Sequence, residues 1–211
     1  MWIGWVYKGV LLVSRNDIVV AVKRLNEQFG QARGLDHLHN HVGGHRTIVH
    51  RDIKSSNILI DWNGVAKISD LGLSKLIVMG FGMSVIISNG VGTRGYCEPK
   101  YYSMGVVTKE SNVYSFSIVL FEVLCGRLCI SECNDGFILS GQLVRVEYKN
   151  KNLVKIIDPT IKGHFGSDSM TKFSAIAYRS LHNDREIRLT MDVVRKELEE
   201  TLEFQVRSMT Y

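Results

Sequence analysis

The stretch His50-Arg51-Asp52-Ile53-Lys54-Ser55-Ser56-Asn57, followed by Asp70-Leu71-Gly72, decides how the rest of the chain is read. It sets a carboxylate, a lysine and an amide on one loop and a second carboxylate just beyond a short hairpin. Asn57 to Ile60 and Ala66 to Ile68 read as the hairpin strands, joined by Asp61-Trp62-Asn63-Gly64, whose Asn-Gly pair suits a tight hairpin turn. Phosphoryl transfer calls for such a set. A carboxylate accepts the hydroxyl proton, a cation meets the moving phosphate, and an amide and a second carboxylate hold Mg²⁺.

Working outward, Trp5-Val6-Tyr7, Val10 to Ser14 and Ile18 to Lys23 predict a three-stranded meander broken at Lys8-Gly9 and Arg15-Asn16-Asp17. Ala32, Leu35 and Leu38 predict a helix over Gln31 to Asn40, ended by the segment His41 to Arg46 with its Gly43-Gly44 pair. A Gly-rich segment runs from Gly80 to Gly95. Ser111 to Leu124 is almost wholly apolar and predicts a buried central helix, and Met191, Val194, Leu198 and Leu202 form one stripe of a last helix. A few strands followed mainly by helices is an α+β arrangement. At 211 residues the chain is sized for one compact domain.

The net charge of +5 comes from scattered Lys and Arg without a basic block, so no nucleic-acid partner is expected. Cys97, Cys125, Cys129 and Cys133 read as small buried thiols, and their spacing matches no common zinc signature. His37, His39, His41, His45 and His50 are clustered, but no Cys or carboxylate completes a tetrahedral metal set. Leu76 to Thr93 is uncharged, yet Gly80, Gly82, Ser84, Ser88, Asn89 and Gly90 make it too polar to span a bilayer. With no secretory signal visible, a cytoplasmic location is expected.

These residues resemble the eukaryotic protein kinase catalytic domain. Residues 50–57 match the catalytic loop H-R-D-L-x-x-x-N with Ile53 for Leu. Asp70-Leu71-Gly72 resembles D-F-G, Val20-Ala21-Val22-Lys23 resembles V-A-I-K, and Gly4-Trp5-Val6 resembles the end of the Gly-rich loop. Val6-Tyr7-Lys8-Gly9, Gly92-Thr93-Arg94-Gly95-Tyr96 and Val113-Tyr114-Ser115-Phe116 are similar to the plant receptor-like kinases and their soluble relatives. The resemblance implies a small β lobe, reduced here to residues 1–31, and a mainly helical large lobe, residues 32–211. It implies a Ser/Thr protein kinase using ATP and Mg²⁺ on protein Ser/Thr hydroxyls, with a receptor or plasma-membrane complex as a possible partner. Asp52 would be the catalytic base and Lys54 the γ-phosphate contact. Asn57 and Asp70 would hold Mg²⁺, Lys23 would reach the α- and β-phosphates, and Gly4 and Val6 would line the nucleotide site. Arg51 would meet a phosphate on the activation segment, where Ser84, Ser88 and Thr93 supply hydroxyls.

The sequence also departs from that family. Between Lys23 and His50 the family has a helix bearing the lysine's glutamate partner, two strands, the adenine-binding hinge and two helices. Only a loop and one helix intervene here. Glu27 lies too close to Lys23 along the chain, and Asp36 belongs to the helix 31–40, so the lysine is expected to lack its acidic partner. Trp2 and Ile3 stand where flexible glycines would cover the phosphates. Glu98-Pro99-Lys100 replaces A-P-E, which is expected to leave Arg188 without its carboxylate at up to about 3–5 kcal/mol. Asn112 replaces an aspartate that anchors the catalytic loop, Ser117 a glycine and Leu189 a proline. The alternative reading is a non-catalytic pseudokinase or interaction module, or the product of a splice or gene-model junction near Gln31-Ala32.

Overall fold

A computed structural model describes residues 6–13, 16–23, 30–40, 42–43, 46–62, 65–78, 85–88, 90–129, 139–162 and 166–208. Gly4, Glu27, His41, His45, Asn63, Gly64, Ser84 and Cys133 lie outside the described residues, and of Val6 and Lys23 only the backbone is described.

The chain begins with a hairpin in place of the expected meander. Strands β1 (Val6–Val13) and β2 (Asn16–Lys23) pair antiparallel along their full lengths, Val6 opposite Lys23 and Val13 opposite Asn16. Lys8 and Gly9 do not break β1, because they stand opposite Ala21 and Val20 in the ladder. One glycine weakens a strand without ending it when the partner is a β-branched run such as Ile18-Val19-Val20.

Helix α1 (Gly30–Asn40) follows, and then three more two-stranded antiparallel ribbons. β3 (Arg46–Val49) pairs with β6 (Lys75–Val78), and β4 (Ile58–Ile60) with β5 (Ala66–Ile68). β7 (Ile86–Ile87), inside the segment read as merely Gly-rich, pairs with β8 (Val106–Val107). Helix α2 (Pro99–Met104) precedes β8, and α3 (Lys109–Cys125), α4 (Gly141–Lys149), α5 (Pro159–Lys162), α6 (Ser167–Ser180) and α7 (Met191–Ser208) complete the chain. α3 starts at Thr108, whose backbone N–H donates to Ser111 Oγ at 3.1 Å, and stops at Gly126, where φ is 62° and a side chain would be strained.

α3 is the axis of the core. Phe116, Leu120, Phe121 and Leu124 are buried together with Phe173 and Ile176 of α6, Val194 and Leu198 of α7, and Leu35 of α1. Ser117, in place of the family's glycine, is buried and satisfied by donating to the Ala177 carbonyl at 2.8 Å. α1 packs so closely on β5 that a Cβ at Gly30 would lie 2.1 Å from the Ala66 carbonyl oxygen. Its outer side is tied to α7 by Asp36–Arg195 at 2.9 Å, Arg195–Glu199 at 2.8 Å and Arg33–Glu199 at 2.8 Å. Asp36 is therefore engaged within the helical part of the molecule.

The expectation for Arg188 is corrected. Glu98, on the other side of Pro99 from Lys100, supplies the carboxylate: it is buried and paired with both Arg188 and Arg185, while Lys100 is exposed. Arg188 also donates to the carbonyls of His182 at 2.6 Å and Glu110 at 2.7 Å. Among the described residues no helix is long and apolar enough to cross a membrane.

Because Glu98 is the shared counter-ion of a buried arginine and a largely buried one, Glu98→Ala is expected to cost about 3–5 kcal/mol in urea denaturation. Lys100→Ala is expected to stay within about 0.5 kcal/mol of the parent. A comparable loss from both would show that the charge at 98 carries no special burden.

Candidate active site

β3 delivers the chain into residues 50–57, and the loop is held by side chains that point back into the protein. His50 is fully buried. Its Nδ1 accepts from the Asp52 N–H at 3.3 Å and its Nε2–H donates to the Ser69 carbonyl at 2.9 Å. Burial keeps the imidazole neutral by lowering its pKa below the ordinary histidine value. His50 thus joins the loop to Ser69, which lies between the end of β5 and Asp70.

Arg51 has φ of 75°, a left-handed backbone that a non-glycine residue seldom adopts. Its N–H donates to Asn112 Oδ1 of α3 at 3.0 Å. The guanidinium turns inward, donating to the Tyr101 hydroxyl at 2.9 Å, the Leu73 carbonyl at 3.2 Å and Ser88 Oγ at 2.7 Å. These partners are neutral oxygens, so among the described residues the buried cation is hydrogen-bonded but not ion-paired.

Beyond Arg51, three polar groups converge on Asp52. Thr93 Oγ1 donates to Oδ1 at 2.7 Å, Lys54 Nζ lies 2.9 Å from Oδ2, and Asn57 Nδ2 lies 3.3 Å from Oδ2 and 2.9 Å from the Asp52 carbonyl. Lys54 also donates to Thr93 Oγ1 at 2.9 Å, closing a triangle. Burial by itself would raise the Asp52 pKa, but the hydrogen bonds from Thr93 and Lys54 and the Lys54 charge outweigh it and hold the carboxyl below its ordinary range.

Asn57 and Asp70 are brought near each other by Ser69, whose N–H and hydroxyl both donate to the Asn57 carbonyl, at 2.9 and 3.0 Å. Asp70 is itself left-handed, φ 61°, and exposed. With Nδ2 of Asn57 committed to Asp52, its Oδ1 is the atom left for a ligand. An amide oxygen beside an exposed carboxylate is a hard donor set that fits Mg²⁺. Leu59 (56% exposed) and Leu71 (52% exposed) add apolar surface next to these donors.

Two further contacts were not visible in the sequence. Gly92, φ 120°, lies so close to the loop that a Cβ would meet the Arg51 carbonyl oxygen at 2.7 Å. Glu122 of α3 accepts from the Tyr96 hydroxyl at 2.6 Å and the Cys129 N–H at 2.8 Å, and Tyr96 is 3.1 Å from Ser55 Oγ on the loop. Burial raises the Glu122 pKa. A lone acid in the apolar run Val119-Leu120-Phe121-Glu122-Val123-Leu124 was the signal for it.

The family model described as the protein kinase domain matches residues 10–198. The chain is 38% identical over 187 residues to the receptor-like protein kinase ANXUR1 of Arabidopsis thaliana, covering 87% of this chain and 21% of that protein. It is likewise 38% identical over 186 residues to ANXUR2 of the same plant, covering 87% of this chain and 21% of that protein. The chain thus spans about a fifth of the length of these curated relatives.

A depressed carboxyl adds stability that is present above its unfolded pKa of about 4 and is lost as pH falls through the lower folded value. Thr93→Val removes one of the bonds that depress Asp52, so the Asp52 midpoint in a carboxyl ¹³C titration is expected to move up. An unchanged midpoint would mean that Thr93 does not set it.

Proposed function

The chain belongs to the protein kinase domain family, and we propose that it is a Ser/Thr-type member whose catalytic loop is formed but whose hold on nucleotide is weak. The observation that carries the Ser/Thr reading is the Thr93–Lys54–Asp52 triangle. A lysine beside the base can neutralise the incoming phosphate, and a threonine hydroxyl keeps both aligned until a protein Ser or Thr hydroxyl displaces it. Asp52 is the base, Asn57 and Asp70 are the Mg²⁺ ligands, Lys23 with Gly4 and Val6 belongs to the ATP side, and residues 1–31 are what remains of the small lobe. The receptor-like names of the relatives favour a receptor or membrane-complex partner on the cytoplasmic face.

Impairment follows from chain length. Only residues 24–29 separate the end of β2 from the start of α1. Six residues reach about 20 Å fully extended, enough for a connection but not for a helix, two strands and a hinge. Asp36, on α1, is paired with Arg195 of α7, 2.9 Å away. Positioning of reactants supplies about 7–11 kcal/mol in well-oriented reactions, and losing half of it slows transfer roughly a thousandfold. This same shortage favours the second reading, a non-catalytic interaction module.

Calorimetry is expected to show Mg-ATP binding weaker than micromolar, and Asp52→Asn is expected to abolish the residual transfer seen with the parent chain. Equal signals from parent and Asp52→Asn would favour the non-catalytic module, and micromolar Mg-ATP binding would overturn the impairment.

Arg51 Nη2 lies 2.7 Å from Ser88 Oγ, which makes Ser88 the hydroxyl through which a phosphate would reach the buried guanidinium. One charge-assisted bond is worth about 1.5 kcal/mol or more, so phosphorylated Ser88 is expected to raise Tm by about 3–6 °C. The gain is expected to vanish in Arg51→Ala; a gain that survived there would place the phosphate elsewhere.

A further inference from the structure

The end of α1 meets the start of α3 directly behind the loop, and the side chain of Asn112 faces both. An amide has one accepting and one donating end, and the hydrogen bonds decide which is which. The Arg51 backbone N–H can only donate, so the atom 3.0 Å from it is the accepting Oδ1. Nδ2 then faces Nε2 of His39, 3.1 Å away. An amide N–H needs a lone pair to point at. Nε2 must therefore be bare, and the imidazole proton must sit on Nδ1.

We propose that His39, as the Nδ1–H tautomer, is a positioning residue that orients the Asn112 amide and through it the left-handed Arg51 backbone that presents Asp52. The inference rests on residues 50–57 being the catalytic loop. His39 touches no reacting group and acts only through Asn112. All three residues are buried: His39 is 2% exposed, Asn112 1% and Arg51 6%. The end of α1 is pinned as well, since Thr47 Oγ1 of β3 donates to the His39 carbonyl at 2.9 Å. Burial lowers the His39 pKa to about 3, Lys109 pushes the same way and Asp36 opposes, so the ring is neutral near pH 7.

The pair is matched in chemistry. A carboxylate at 112 has two accepting oxygens and would require Nε2 to carry a proton. The amide reverses that requirement: Asn112 offers the N–H and His39 the lone pair. The aspartate-to-asparagine change is thus accommodated by moving one proton across an imidazole ring, with the bond to Arg51 kept.

Histidine-labelled ¹⁵N spectra of the full chain read this directly. His39 is expected to show a protonated Nδ1 and a bare Nε2 with no titration between about pH 5 and 8. In Asn112→Asp the proton is expected on Nε2. A protonated Nε2 in the parent, titration in that window, or an unmoved tautomer in a folded Asn112→Asp would overturn the proposal, and the parent spectrum decides alone if the variant fails to fold. Positioning is read separately from hydrogen exchange at the Arg51 amide. His39→Leu leaves a buried donor unpartnered and is expected to cost about 10- to 100-fold in protection. His39→Gln, whose Oε1 can accept, is expected to restore most of it. Protection unchanged in His39→Leu would leave His39 without a positioning role. None of these readouts needs phosphoryl transfer, so an inert chain would refute the kinase reading while leaving the tautomer result standing.

Discussion

The bond from the Arg51 N–H to Asn112 Oδ1, 3.0 Å long, fastens a strained loop to the buried central helix α3. Left-handed backbone at a non-glycine residue costs about 1–3 kcal/mol and persists only where the surroundings over-determine it. Here the guanidinium of the same residue is held by Tyr101, Leu73 and Ser88, while α3 is enclosed by α6, α7 and α1. Asp52 is the next residue, so its direction is inherited from that fixed backbone. Asn57 and Ser69 then carry the constraint on to Asp70, the second left-handed residue of the site. Two of the three non-glycine residues with positive φ among the described residues thus lie where the chemistry is read, and the strain is located where orientation matters most.

The ion cluster at Arg188 shows what such a site asks of a sequence. A buried guanidinium needs a carboxylate within reach, but nothing in electrostatics requires that carboxylate to follow Pro99. Glu98 precedes the proline, and its side chain is long enough to meet both Arg185 and Arg188. Lys100 sits in the first turn of α2 and faces solvent, where its charge is cheap. Read as a motif, Glu98-Pro99-Lys100 has lost its acid; read as a packed cluster, it has kept one.

That difference marks how far the sequence was legible. The loop could be read because its functional groups are neighbours along the chain: Asp52, Lys54 and Asn57 share one loop, and the hairpin 58–68 delivers Asp70. The central helix and the stripe Met191, Val194, Leu198 were legible because burial imposes a period. Partners distant along the chain left little trace. Thr93 could be seen as a hydroxyl but not as the bridge between Asp52 and Lys54, and Glu122 was hidden in an apolar run. The β3–β6 ribbon was missed because each strand is four residues long and gains its order from a partner 26 to 32 positions away, Arg46 opposite Val78 at one end and Val49 opposite Lys75 at the other. Lys8-Gly9 misled in the opposite sense, since a local breaker was overridden by the ladder.

The short connection between β2 and α1 separates two requirements that a kinase fold normally meets together. Each described hydrogen bond that orients Asp52, Lys54, Asn57 or Arg51 comes from residues between 50 and 112. The base and its lysine are therefore held by bonds formed within residues 50–112, in a setting where moving them would leave buried polar groups unpaired at about 1–3 kcal/mol each. The proposed weakness in holding nucleotide rests instead on the connection between β2 and α1, which is six residues long. On this reading the deficit falls on the population of correctly placed ATP and not on the base. Enforced proximity would restore transfer only if the loop is as rigid without nucleotide as its bonds imply.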